Sequence, residues 1–119
     1  MELIDIELYK NNNLYLKKTN VTAKYNNNNN NIIEYIDDVN TKIEITDKNI
    51  LFQRSNDEYE FKLLLNKDNS TCTYKLKKED IIFDIKVNSA TYKIDENTLE
   101  IIYDIETDDT LNKLIIVKK

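Results

Sequence analysis

The sequence predicts an all-β protein, an antiparallel meander closed into a small barrel of about eight to ten strands. Three observations carry this. Apolar and polar residues alternate with a period of two along much of the 119 residues, as strands do when one face meets a core and the other meets water. Short clusters rich in Asn and Asp interrupt that pattern at close intervals, the spacing of turns between neighbouring antiparallel strands. Ile, Leu, Val and Phe supply 36 residues, enough for one core in a single domain spanning 1–119.

Strands are expected at 2–9, 14–25, 32–37, 39–46, 50–55, 58–65, 71–77, 81–94, 98–106 and 111–117. The second cannot run straight, because its apolar phase shifts from Leu14 and Leu16 to Val21 and Ala23. A bend or bulge is therefore expected near Lys18 to Asn20. Over 32–37, Ile32, Tyr35, Ile36 and Val39 also fit a helical spacing, and the strand is preferred. Val39, Thr41, Ile43 and Ile45 alternate cleanly with polar neighbours, as do Tyr59, Phe61, Leu63 and Leu65. Cys72, Tyr74 and Leu76 continue the pattern. In 81–94 the inward set changes from Phe83, Ile85 and Val87 to Ala90, Tyr92 and Ile94, so a second bend is expected near Asn88 to Ser89. Leu99, Ile101, Tyr103 and Ile105 alternate again. The last segment, Leu111, Leu114 and Ile115 after Thr110, is read as a strand over a capped helix.

Glycine and proline are both absent. Asn and Asp are then the residues best able to take positive φ and to bond back to the local backbone, so they are the expected turn makers. The run at 26–31 consists only of asparagine and is expected to be a flexible loop.

Composition excludes several function classes. Without glycine there is no phosphate-cradling loop, and without histidine there is no Ser-His-Asp or Cys-His nucleophile and no histidine metal site. No cofactor is expected. The net charge of −5 argues against nucleic acid and anionic membrane as partners, since both are gripped by basic clusters. Lys75, Lys77 and Lys78 are offset at once by Glu79 and Asp80. The longest aliphatic run, Leu114 to Val117, is far short of the roughly 20 residues of a spanning helix. One cysteine, Cys72, cannot form an internal disulfide, and its apolar phase places it in the core. Acid near the first residues, where a signal peptide carries positive charge, makes a cytoplasmic location the expectation. The matches Asn20-Val-Thr22 and Asn69-Ser-Thr71 to the glycosylation pattern read as chance among 18 asparagines. Heavy use of Asn, Lys, Ile and Tyr, with 16 Lys to one Arg, points to an AT-rich bacterial genome.

From about Ile32 onward the order of elements resembles the YwiB-like family of small bacterial proteins, which are calycin-like β-barrels. The resemblance rests on Tyr35 with Asp37-Asp38, the Thr41-to-Asp47 strand, Arg54 before a turn, Phe61, Thr73-Tyr74, the Phe83-to-Val87 strand and Tyr103-Asp-Ile105. Where that family usually has Pro and Gly after Tyr74 and Gly after the Arg54 strand, this chain has Lys77 to Asp80 and Asn56. The resemblance implies a calycin- or lipocalin-like barrel and no activity.

The acid pairs Asp37-Asp38, Glu79-Asp80 and Asp108-Asp109 read as solvated turn residues, and Asn66 to Ser70 lacks the spacing of a calcium loop. The candidates for a site are rings and one guanidinium. Tyr59, Tyr74, Tyr92 and Tyr103 fall on the apolar phase of their strands, so each hydroxyl needs a partner or a polar cavity. Arg54, the sole arginine, shares phase with Ile50 and Phe52 and is aimed at the core side. It can snorkel outward, pair with an acid at the barrel rim, or receive the acidic end of a ligand. Two function classes follow: a barrel binding a small amphipathic or acidic ligand through these five residues, or a protein-interaction or structural module with a solid core. Catalysis ranks third, because no nucleophile–base pair is recognisable. A homo-oligomer is left open.

Overall fold

Turns without glycine fall to Asn and Asp. Among the described residues, four occupy the left-handed region: Asn11 (φ 51), Asn12 (φ 67), Asn20 (φ 56) and Asp80 (φ 53). Asn11 and Asn12 are consecutive, the pairing that a two-residue hairpin with the right twist requires. Elsewhere the side chain closes the turn, as when Asn56 Oδ1 accepts from the backbone N–H of Glu58 (2.8 Å) and of Tyr59 (3.0 Å).

A computed structural model describes residues 2–26 and 31–119. Between those turns run β1 (Glu2–Lys10), β2 (Asn13–Asn26), β3 (Asn31–Ile36), β4 (Asn40–Ile45), β5 (Asn49–Ser55), β6 (Tyr59–Asn66), β7 (Thr71–Leu76), β8 (Ile81–Ile85), β9 (Val87–Ile94), β10 (Thr98–Ile105) and β11 (Asp108–Lys118). Both segments with an alternative helical spacing are strands, β3 and β11. Asn26 ends β2 and Asn31 begins β3, while 27–30, the middle of the expected asparagine loop, lies outside the described residues. No helix long and apolar enough to cross a membrane occurs among the described residues.

All eleven strands among the described residues join one antiparallel sheet in the order β8-β7-β6-β5-β4-β3-β2-β1-β11-β10-β9. The two edges, β8 and β9, are consecutive in sequence and share a corner at Lys86. The sheet therefore curls until its edges meet at that corner, a nearly closed barrel consistent with the small calycin-like barrel expected.

The expected single strand 81–94 is thus two strands with different partners, which raises the count from ten to eleven. Its phase slip is real: Asp104 pairs Ser89 and Ile105 pairs Val87, leaving Asn88 as an extra residue. The other bend also stands where the phase changes. Ile4 pairs Val21 and Ile6 pairs Lys18, so Thr19 and Asn20 together face Asp5.

Inward residues form rows across the strands. One row runs Ile33, Ile43, Phe52, Leu63, Cys72 through β3 to β7, and every member is buried. Ile4, Ile6, Leu99, Ile101, Leu114 and Ile116 close the opposite wall. These side chains fill the barrel centre, and their burial from water is the main stabilising term.

Candidate functional site

The next row along the same strands is different. Tyr35, Thr41, Arg54, Phe61 and Tyr74 stand opposite one another across β3 to β7. Arg54 takes the inward position that its phase with Ile50 and Phe52 requires, and it meets Asp37 just beyond β3. Nη2 of Arg54 donates to Oδ2 of Asp37 at 2.8 Å. The Asp37 side chain is 1% exposed and that of Arg54 is 22% exposed, so the pair is mostly out of water.

Asp37 also makes its own turn. Its Oδ1 accepts from the backbone N–H of Asp38 (2.8 Å) and of Val39 (3.1 Å). One oxygen shapes the β3–β4 turn while the other holds the guanidinium. The expectation of two solvated acids is therefore right only for Asp38, whose side chain is 67% exposed and pairs with Lys18 at 2.9 Å. Hydrogen bonding from Lys18 holds the Asp38 carboxyl below its usual range. The buried phenol of Tyr35 is pushed well above its ordinary value, by desolvation first and by the Asp37 charge second.

A recess of about 350 Å³ opens at this end of the barrel, lined by Arg54, Tyr59, Phe61, Tyr103, Lys10 and Lys113 among others. The Phe61 and Tyr103 rings lie 5.9 Å apart, with Phe52 behind them at 6.1 Å and 6.2 Å. Lys10 Nζ sits 4.2 Å from the centre of the Tyr15 ring, and Lys113 Nζ sits 5.1 Å from that of Tyr9. Cation–π attraction thus anchors both lysines near the recess. Besides these three cations, the acid lining the recess is Asp38. The Nε of Arg54 is buried and has no acceptor among the described residues.

Three of the five candidates, Arg54, Tyr59 and Tyr103, line this recess. Tyr74 does not line the recess itself but adjoins two residues that do: it stacks on Tyr59, with ring centres 5.4 Å apart and planes 13° apart, and stands opposite Phe61 across β6 and β7. Tyr92 packs on the core opposite Ile101 of β10 and does not line the recess. A larger depression of about 680 Å³ lies among Lys24, Glu34, Lys42 and Gln53. Those side chains point to the outer face, so this is a surface groove and not the barrel interior. No group of three metal-ligating side chains occurs among the described residues. Burial pushes the Cys72 thiol up to about 11, which makes it a poor nucleophile at neutral pH.

Sequence reasoning missed Asp37, Thr41 and Tyr35 as neighbours of Arg54. The available signal was a turn-forming carboxylate beside a strand that carries the chain's one inward guanidinium. Comparison with family models, curated proteins and solved structures returns no match for this chain.

Proposed function

We propose that the protein binds a small amphipathic anion in the recess at the Arg54 end of its barrel. The observation that carries this reading is the state of Arg54. Asp37 engages Nη2, Nε has no acceptor among the described residues, and part of the side chain stays accessible beside a floor of rings. A planar guanidinium with an N–H that lacks an acceptor suits a carboxylate or similar planar anion. Lys10 and Lys113 add positive charge, and Phe61 and Tyr103 offer apolar surface to the rest of the ligand. At about 350 Å³ the recess is near the lower end of ligand pockets, which run from roughly 300 to 1,000 Å³, so the ligand is small. We also propose that the chain is a YwiB-like barrel. Tyr35, Asp37, Arg54, Phe61 and Tyr103, which carry that resemblance, gather at this same end.

The test is a thermal-shift and calorimetric series with octanoate and 4-hydroxybenzoate against octanol and 4-hydroxybenzyl alcohol. The two anions are expected to raise the melting temperature and the neutral analogues to leave it unmoved. Arg54→Lys, which keeps the charge and loses the fork, is expected to weaken binding about tenfold, or roughly 1.4 kcal/mol. Equal responses to acid and alcohol, or none at about 1 mM ligand, would overturn the reading.

A second reading, an interaction module with a solid core, is favoured by a different observation. Three consecutive large apolar residues of β8, Ile81, Ile82 and Phe83, are exposed.

A further inference from the structure

We propose that the chain forms a twofold-symmetric dimer by pairing the free edge of β8 with β8 of a second copy, in the register that sets Phe83 opposite itself. This inference does not depend on the ligand reading.

β8 pairs with β7 on one side and ends the sheet on the other. An open edge offers unpaired backbone donors and acceptors to any incoming strand, and proteins that stay monomeric blunt such edges with bulges, prolines or charge. The two edges of this sheet differ in that respect. β9 carries the Asn88 bulge, whereas β8, whose one charged residue is Asp84, runs in unbroken register with β7 from Leu76–Ile81 to Cys72–Ile85. On β8, Ile81 is 44% exposed, Ile82 62% and Phe83 48%.

Charge and symmetry select the occupant. A twofold axis perpendicular to a sheet places one residue of the strand opposite its own copy, and all other pairs follow. Centring on Phe83 engages all five β8 residues, pairing Ile81 with Ile85 and Ile82 with Asp84. The residues just beyond the strand then meet as opposites: Asp80 faces Lys86 of the second copy, and Lys86 faces its Asp80. Centring one residue earlier sets Asp80 against Asp84, and one residue later sets Asp84 against itself. Like charges directly opposite are destabilising, so both neighbouring registers are disfavoured. Asp80 has an intramolecular neighbour, Lys75 Nζ at 3.5 Å, but its side chain is 85% exposed and that pair is weakly held. The chosen register also extends an existing feature. Phe61, Tyr74 and Phe83 are cross-strand neighbours on the inward side, and Phe83 of the second copy continues that aromatic row.

The experiment combines light scattering on the purified chain with a cysteine scan of Ile81, Ile82, Phe83, Asp84 and Ile85 under mild oxidation. Buried Cys72 leaves the introduced thiol as the reactive one. The expected results are a particle of twice 14.2 kDa and rapid disulfide-linked dimer from Phe83→Cys alone, since only that position faces itself. Lys86→Glu is expected to weaken the dimer at least tenfold, leaving a folded monomer. A monomer at all concentrations, a dimer in which Phe83→Cys fails to cross-link, or preferential cross-linking at Ile82 or Asp84 would each overturn the proposal.

Discussion

Two rows of inward side chains lie two residues apart on the same strands, and they do opposite things. Ile33, Ile43, Phe52, Leu63 and Cys72 form a dry layer with no charge. Tyr35, Thr41, Arg54, Phe61 and Tyr74 form a layer that holds a guanidinium, two phenols and a hydroxyl, with Asp37 at its end. Period-two alternation treats both rows alike, since each faces inward. The difference arises along the strand: the first row lies within the packed core, and the second lies where the core gives way to a recess. A polar side chain is tolerated there because it finds a partner, as Arg54 finds Asp37.

The contrast can be broken most strongly at Phe52, the ring of the dry layer that touches both Phe61 and Tyr103. Phe52→Ala is expected to lose about 3–5 kcal/mol in urea denaturation, a large part of the margin of a small domain. A loss below about 1 kcal/mol would show that this layer is not the stabilising one.

In the polar layer the sharper change is Arg54→Ala. It leaves a carboxylate that is 1% exposed without its cation. The expected loss is about 3 kcal/mol, at the low end for a broken buried pair, because Arg54 is partly open to water and Asp37 keeps two backbone N–H bonds. An unmoved denaturation curve would mean that the pair behaves as a surface contact.

Alkaline pH gives the smallest effect and sharpens the comparison from the dry side. Burial raises the Cys72 thiol from 9.0 to about 11, so between those values the unfolded chain gives up a proton that the folded chain retains. Stability is therefore unaffected by this group below pH 9 and falls as pH rises from 9 to 11. The Tyr35 phenol, also raised, acts in the same direction above pH 10. In Cys72→Ala the fall in urea midpoint between pH 8.5 and 10.5 is expected to shrink but not vanish.

Much of the fold was legible because alternation reports which side of a sheet a residue faces. Ile43, Phe52, Leu63 and Ile101 are buried where their phase puts them. The phase slips at Asn20 and Asn88 marked the bulges for the same reason. What the slip in 81–94 could not reveal is that the strand exchanges one partner for another at Lys86, because partner choice depends on distant segments. The site was half legible. Phase placed Arg54, Tyr59, Tyr74, Tyr92 and Tyr103 inward but carried no information on height along the barrel, which separates the recess-lining Tyr59 and Tyr103 from Tyr92. Asp37 was hidden because alternation lapses in a turn, so nothing local distinguished its buried carboxylate from the solvated one of Asp38.

The meeting of β8 and β9 at Lys86 also orders how the chain assembles. β1 to β8 form one up-and-down array and β9 to β11 another, and within each array every ladder joins sequence neighbours. Such hairpins close short loops and form early. Among the described strands, the two arrays are united by one further ladder, β1 with β11, in which Lys10 meets Asn112 and Ile4 meets Lys118. That pairing spans nearly the whole chain, and its closure entropy must be met before any of its bonds forms. Two open sheets tethered at a hinge become a barrel when that seam zips, so β1–β11 pairing is expected to be the late step in folding.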